Sequence, residues 1–469
     1  MDANFIEPTL LIDRLDSHYY EARFYNMEKK IISSDYLIKE LGAICEKVQC
    51  GPFGSSVLAE NYDSEGIVMV RPVNLKGVLL SNEDLVRFPE KALPSNSPKF
   101  KMGDVLFARV GTPSCSIVTR EIGTVTISPN IIAAKLKDNV DKHYITTFLN
   151  TVYGSSQIER RFKAVSQPTV STDDVRTLKV IVPTRKIQHY IGNKVRKAEK
   201  FQEEAKKLML EAETIFKSLF KDDCVYNNNA GNPSIYFNQK PIYISVSEVE
   251  INERLDAQSF HPELFQTINK IKLLEFKTIR LQETIEFHDT GISSPQYADF
   301  GTPVIMTKNI KNSSISQVDK YVVTDTISES NLLATDDVLF TTYGGPSIGK
   351  VDIFFGSERS SFDYTILRLR FKKKFDSYFM LLLLRSKYVQ NQVRYMIKGT
   401  TGITFVNPKD VLNVIIPVVP LEVQNEIGFK IKRSHNNVYR SMQLIAEAKQ
   451  DVEDLIEGKF DESKIFEEV

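Results

Sequence analysis

The chain has 469 residues, with 60 Lys+Arg balanced by 60 Asp+Glu, 42% hydrophobic residues, 21 Gly and 19 Pro. That composition excludes a disordered chain, a collagen-like repeat and a simple coiled-coil rod, and the length suggests about three domains. Zero net charge argues against a globally basic coat for nucleic acid but leaves local basic faces open, because binding depends on where charges sit.

The N-terminus, Met1 to Pro8, has no basic flank and no signal-type apolar core, so secretion is not expected. Arg14-Leu15-Asp16 then opens a β-rich part over roughly 14–180. Its short apolar runs, such as Gly66 to Val70 and Asp104 to Ala108, are punctuated by Gly, Pro, Asn and Ser, as turns between short strands require. A helix is expected over Tyr144 to Phe162. Beyond Pro183 the period changes: Ile191, Val195, Ala198, Gln202, Ala205, Leu208, Ala212, Ile215 and Leu219 recur at steps of three and four, the stripe of a long helix.

The pattern is then written a second time. Arg254-Leu255-Asp256 follows the first such triplet by 240 residues, and Asn309-Ile310-Lys311 follows Asn74-Leu75-Lys76 by 235. Asp337 to Phe340 follows Asp104 to Phe107 by 233, and Val423-Gln424-x-x-Ile427-Gly428 follows Ile187-Gln188-x-x-Ile191-Gly192 by 236. The drift fits loops of unequal length. A second mid-domain helix is expected over Phe375 to Met396, and a second stripe runs from Ile427 through Ser434 and Ser441 to Leu455. The apolar run Phe379 to Leu384 stops at Arg385, far short of the roughly 20 residues of a membrane span. Two copies are too few for a solenoid, so a pseudo-twofold protein is expected. The stripes are expected to pair as an antiparallel coiled coil; the alternative is that each packs only on its own globular part. Thirty helical residues span about 45 Å, comparable to one turn of B-DNA, about 34–36 Å. Outer faces carrying Lys194 and its neighbours on the first helix, and Asp451 and its neighbours on the second, are expected to meet protein partners or to set the helix register.

Enzyme signatures are missing from the sequence. The only Asn-Pro pairs, Asn232-Pro233 and Asn407-Pro408, do not continue as the Asn/Asp-Pro-Pro-aromatic segment of an adenine methyltransferase. Gly344 to Lys350 fits G-x-x-x-x-G-K, yet Val351 stands where a P-loop needs Ser or Thr, and the residues after it read as a strand. The carboxylate pairs Asp173-Asp174 and Asp336-Asp337 are expected in solvated turns. The six histidines form no metal-binding spacing, and the cysteines at 45, 50, 115 and 224 match neither a zinc module nor a disulfide framework, so reduced thiols in a cytoplasmic protein are expected. No catalytic residue, metal or cofactor is assigned.

The layout resembles the specificity subunit of type I restriction-modification systems. The residues that carry the resemblance are the two Arg-Leu-Asp triplets, Asn74-Leu75-Lys76 and Asn309-Ile310-Lys311, the Asp-Val-Leu-Phe segments, and the helix leads Pro183 to Ile191 and Pro420 to Ile427. Copy two departs from the first pattern in having Asp336-Asp337 where copy one has Gly103-Asp104. The resemblance implies an α+β fold in which two pseudo-symmetric β-rich target recognition domains are separated by two long helices forming an antiparallel coiled coil. The implied boundaries are 1–182 and 223–416 for the recognition domains and 183–222 and 417–462 for the helical spacers. It also implies partners: double-stranded DNA carrying a split asymmetric site, two methyltransferase (modification) subunits, and restriction-translocation subunits. A related type II restriction-methyltransferase system remains an alternative, and so does a coiled-coil adaptor whose β-domains bind peptides.

DNA readers place Lys and Arg on phosphates and use Arg, Lys, Asn, Gln, Ser or Thr on base edges. The candidates in copy one are Arg71, Asn74, Lys76, Arg109, Thr112, Ser114, Arg120 and Gln167. Those in copy two are Lys308, Asn309, Lys311, Thr342, Tyr343, Ser347, Lys350 and Thr401. Asn74 and Asn309 recur in both copies, which also suits turn-formers. Arg109 and Thr342 differ at matched positions, which suits base readers.

Overall fold

The computed structural model describes residues 14, 16–52, 59–94, 97–163, 168–220, 257–293, 295–311, 315, 318–356, 359–399 and 403–466. The chain divides into two compact units, 1–203 with 438–469, and 204–437.

In the first unit α1 (Ala22–Ile32) precedes β1 (Leu37–Glu40), β2 (Cys45–Cys50), β3 (Ile67–Val70), β4 (Val86–Phe88), β5 (Val105–Ala108), β6 (Cys115–Ile117), β7 (Val125–Ile127) and β8 (Ile131–Leu136). Then come α2 (Lys142–Leu149), α3 (Val152–Arg160), α4 (Thr172–Arg176), β9 (Lys179–Val182) and the long α5 (Arg185–Phe220). The second unit repeats this order. It runs α6 (Pro262–Lys272), β10 (Thr278–Arg280), β11 (Ile285–Thr290), an added β12 (Tyr297–Ala298), β13 (Thr302–Ile305), β14 (Tyr321–Val322), β15 (Val338–Thr341), β16 (Val351–Ile353), β17 (Ser361–Phe362) and β18 (Ile366–Phe371). It closes with α7 (Ser377–Arg385), α8 (Lys387–Arg394), α9 (Pro408–Leu412), β19 (Ile415–Pro417) and α10 (Leu421–Ile456); α5 divides between the units after residue 203 and α10 after residue 437.

The duplication extends to register. One sheet is ordered β2-β8-β5-β6 in the first unit and β11-β18-β15-β16 in the second. Phe107 faces Ile132 in the former, and the matched Phe340 faces Leu367 in the latter. Each unit has a second sheet containing one parallel pair, β3 with β7 and β13 with β17. β1 pairs with β9, and β10 with β19, antiparallel. The fold class is thus α+β with two β-rich domains, as expected.

The repeated helix lead has a mechanical cause. Gln188 is buried, accepts a hydrogen bond from the backbone N–H of Asp141 at 2.9 Å and donates to Pro183 O at 2.8 Å. Gln424 does the same with Asp376 N–H at 3.1 Å and Val419 O at 2.7 Å. Asp141 and Asp376 are in turn the N-caps of α2 and α7, accepting from His143 and Tyr144 or from Phe379. The glycine four residues after each glutamine leaves room for that carboxylate: a Cβ on Gly192 would meet Asp141 Oδ1, and one on Gly428 would meet Asp376 Oδ1. A second clamp escapes the sequence reading. Gln157 and Gln392 bond both backbone groups of the last strand, Lys179 N–H and C=O at 2.9 Å and Ile415 N–H and C=O at 2.9 and 2.8 Å. Arg14, from the first triplet, donates to the carbonyls of Arg161 and Phe162 at the end of α3, a favourable place for a cation. The triplet 254–256 lies outside the described residues.

Three expectations need correction. The single helices expected over Tyr144 to Phe162 and Phe375 to Met396 are each two helices. Thr151 caps α3 by accepting from Gly154 N–H at 3.3 Å, and the buried Ser386 turns its hydroxyl back to Leu383 O at 2.6 Å. Asp337 is no solvated turn residue: it is buried, accepts from Ala334 N–H at 2.8 Å and forms a forked pair with Arg370 at 2.8 and 2.9 Å. Asp336 stands where Gly103 does because that position is left-handed in both units, φ 72° and 93°. It uses its side chain to accept from Tyr378 Oη at 2.7 Å. Finally, Lys194 and Asp451 are not on outer faces: they form a buried 2.6 Å ion pair.

Within each unit the two long helices run antiparallel. In the first, Lys194 meets Asp451 and Tyr190 meets Phe460, while Ile191, Val195, Ala448 and Val452 share the core with the sheet. In the second, Glu204 meets Arg433 and Glu211 meets Lys430, both at 2.7 Å, and Ser434 Oγ donates to Ala205 O at 2.8 Å. Pairing and packing on the globular part therefore occur together.

His435 of α10 is buried beside Asp352 and Arg385, and its Nε2 has no hydrogen-bond partner among the described residues. Burial pushes the imidazole down to about 4 from its usual 6.5, with the carboxylate of Asp352 opposing. The folded state therefore binds fewer protons than the unfolded one between those values. The second unit should lose stability as pH falls through that window, by at most about 1.4 kcal/mol per pH unit from this group. Thermal unfolding from pH 4 to 7 should show a shallower pH slope for His435→Leu than for the wild type; equal slopes would exclude the assignment.

Candidate nucleic-acid interface

In both units the turn after the parallel strand is built by the repeated asparagine. Asn74 is fully buried, accepts from Arg71 N–H at 2.8 Å and donates to Glu83 O at 2.9 Å. Asn309 is 2% exposed and accepts from Met306 N–H at 2.9 Å. These two residues are turn-formers and offer no side-chain surface to a base. Thr342 is corrected on the same ground: it is buried, and its hydroxyl donates to Thr365 O at 2.8 Å.

The other candidates lie at or near the surface. Arg109, Thr112, Lys76, Lys308 and Lys311 are exposed, and Arg71, Ser114, Tyr343, Ser347 and Lys350 are half-buried. Several sit on loops that meet. In the first unit the loop after β5 is tied to 168–170 by Val170 N–H to Arg109 O at 3.0 Å and to the turn before β8 by Arg109 N–H to Asn130 O at 2.9 Å. In the second unit Gly344 N–H donates to Thr404 O at 3.2 Å, and Thr307 and Thr365 share a 2.7 Å hydroxyl contact. The same irregular bridges recur, Val110–Thr169 with Lys163–Thr169 and Tyr343–Phe405 with Lys398–Phe405. Arg120 is exposed but stands apart from these loops, its N–H held by Glu199 of α5 at 2.6 Å. Gln167 and Thr401 lie outside the described residues.

The cations of these loops differ in what balances them. Lys76 pairs with Glu83 at 2.5 Å and Lys308 with Asp319 at 2.7 Å, exposed pairs that contribute little to stability. Partial burial, aided by the charge of Lys311, holds the Lys350 ammonium below its usual value. An anion at this loop would relieve that repulsion. Beside it, Tyr343 stacks on Phe405 at 5.5 Å and meets Tyr364 edge-on at 5.6 Å. Tyr364 is 45% exposed. The sequence reading missed Tyr364 and Phe405, because each sits beside a short strand where an aromatic residue reads as core. The P-loop-like segment is a turn: Gly344, Gly345 and Gly349 have φ of 96°, 42° and 83°, and β16 follows instead of a helix.

The chain is thus a duplicated α+β protein in which each copy gathers polar loops around a pair of short sheets. Residues 273–450 match the family model described as the type I restriction modification DNA specificity domain. A curated relative, the putative type I restriction enzyme MjaX specificity subunit of Methanocaldococcus jannaschii, is 27% identical over 172 residues. That match covers 35% of this chain and 40% of the relative, so the chain spans about two fifths of the length of the curated relative it matches. Among solved structures, the S subunit of a type I restriction-modification system from M. genitalium is similar over 92% of this chain and 97% of its own, with 12% identity and a TM-score of 0.46. The HsdS subunit of Thermoanaerobacter tengcongensis is similar over 91% and 96%, with 16% identity and a TM-score of 0.28.

Proposed function

We propose that this chain is the DNA-sequence-recognition subunit of a type I restriction-modification complex. The observation that carries the reading is the family match over 273–450, together with the repetition of that domain's strands and helices in the first half of the chain. Each copy reads one half of a split, asymmetric site. The recognition domains are assigned to 1–182 and 223–416. The helices of 183–222 and 417–462 set the spacing and dock two methyltransferase subunits, which restriction-translocation subunits join. The chain contributes recognition and no catalysis, and it acts in the cytoplasm. No helix among the described residues is long and apolar enough to cross a membrane.

Arg71, Lys76, Arg109, Thr112, Ser114, Arg120, Lys308, Lys311, Tyr343, Ser347 and Lys350 are the proposed DNA-facing residues, with Gln167 and Thr401 retained from the sequence. Arg109 is the foremost base reader: it is exposed, its guanidinium has among the described residues a single, 3.5 Å contact, to Pro129 O, and its fork suits a guanine edge. Methylome sequencing of cells expressing the chain with its partner subunits tests the reading. A motif in two halves separated by unread bases is expected; a single uninterrupted motif contradicts it.

A further inference from the structure

The first unit has a cleft of about 810 Å3 between the β2–β8 ribbon and the segment leading into β5. Its floor includes Cys50, Pro98 and Phe100, and its cations are Lys47, Lys99, Lys101 and Lys135. Lys47 and Lys135 are directly opposite each other across the antiparallel pair, where like charges destabilise a sheet. All four lysines are exposed. Lys135 pairs with Glu46 at 2.7 Å and Lys99 with Glu90 at 2.6 Å. Among the described residues, neither Lys47 nor Lys101 makes an ion pair. Asp104 is the carboxylate of the cleft lining, and burial shifts its carboxyl upward, towards the neutral form.

The second copy carries a different set of side chains at the matched place. Lys47 and Lys135 correspond to Phe287 and Arg370, which occupy the same facing register. There Arg370 lies 5.7 Å from the Phe287 ring and is paired with Asp337. Lys99 and Lys101 correspond to Leu332 and Ala334, with Lys101 N–H and Ala334 N–H each bonded to the matched aspartate at 2.9 and 2.8 Å. Ala133 of the first unit corresponds to Arg368, whose side chain is buried against Asp289 and the carbonyls of Ser330 and Leu332. Two domains matched strand for strand therefore differ here in a concerted way. In the second the cations are paired from within, with Asp289 and Asp337. In the first an open cleft is lined with lysines, two of them facing each other across the strand pair.

We infer that the Lys47–Lys99–Lys101–Lys135 cleft of the first unit is a phosphate-backbone seat for duplex DNA, present in this recognition domain and absent from the other. This seat rests on the DNA-recognition function proposed above and adds residues outside the loops already named. A cleft lined by ammonium groups above an apolar floor suits a sugar-phosphate chain, whose negative charges relieve the cross-strand repulsion and release counterions. Position agrees as well: Gly51 of the cleft lining donates its N–H to Ile131 O at 3.2 Å, and the neighbouring Asn130 O accepts from the N–H of Arg109, the foremost base reader, at 2.9 Å. The first domain thus holds its half-site by backbone contacts that the second must obtain elsewhere.

The test is a salt titration of the full chain reconstituted with its methyltransferase subunits, binding duplex that carries the methylated motif. Each lost phosphate contact lowers the slope of log K against log salt by about 0.9. Lys47→Ala/Lys101→Ala should therefore lower the slope by about 2 and weaken binding equally on motif and non-motif duplex, with the methylated sequence unchanged. The melting temperature should not fall, since a like-charge pair is relieved. An unchanged slope and affinity, beside a wild type that binds its motif, would overturn the cleft while leaving recognition intact. A wild-type complex that shows no salt-dependent binding would overturn the recognition reading and the cleft with it.

Discussion

Replacing Arg368 with methionine is expected to cost the second unit about 3–5 kcal/mol, the range for breaking one side of a buried ion pair. The side chain is 1% exposed and uses its donors on Asp289 Oδ1 at 2.7 Å, Asp289 Oδ2, and the carbonyls of Ser330 and Leu332 at 2.7 Å each. Its removal strands a carboxylate and two carbonyls that the rest of the domain has shielded from water. Asp289 is itself 25% exposed and regains some hydration, which favours the lower end of the range. Arg368→Lys should rescue little, because one ammonium cannot reproduce a fork spread over three partners. Hydrogen exchange of the full chain provides the measurement. Protection should drop across the strands β11, β15 and β18, and protection of those strands equal to wild type would refute the assigned role.

The second large effect is expected at the repeated glycine of the long helices. Alanine in a helix interior ordinarily stabilises by up to about 1 kcal/mol over glycine. At Gly428 the added methyl would collide with the Asp376 carboxylate, and at Gly192 with that of Asp141. Moving either carboxylate gives up an N-cap worth about 1 kcal/mol and adds overpacking strain of about 1–3 kcal/mol. The balance is a net loss of about 1–3 kcal/mol in each unit, opposite in sign to the usual rule. Thermal unfolding of Gly192→Ala and Gly428→Ala decides it: melting temperatures at or above wild type would show that the aspartates are not held as described.

Much of this fold was legible because it is written twice. Gln188 with Gly192, and Gln424 with Gly428, stand out in sequence as a repeated spacing, and each pair builds the same clamp on an N-cap. The equally repeated Gln157 and Gln392 were not legible, since their neighbours differ and a glutamine in a helix reads as solvated. Both are buried because they complete the edge of a two-stranded sheet. The parallel pairing of β3 with β7 joins segments more than fifty residues apart, and no local pattern announces it. The candidate site was read less well. Polar residues directly after strands read as loop surface, but Thr342 continues the buried face of β15, and Asn74 and Asn309 spend their amides on the turn itself. The lysine cleft was invisible for the opposite reason: its four cations are scattered over residues 47 to 135, and it takes the pairing of β2 with β8 and the path of the segment before β5 to bring them together.

The proposed division of labour, with domains that read and helices that space, is tested most directly by sequencing methylated DNA from cells that carry the chain and its partner subunits. The comparison is between the wild type and a variant with seven residues inserted between 205 and 215, matched by seven in the facing stretch of α10. Seven helical residues add about 10 Å, close to three base-pair steps of about 3.4 Å. The same two half-sites are expected, with a gap lengthened by about three base pairs. The same half-sites with an unchanged gap, or a motif that is not split at all, would contradict that division of labour.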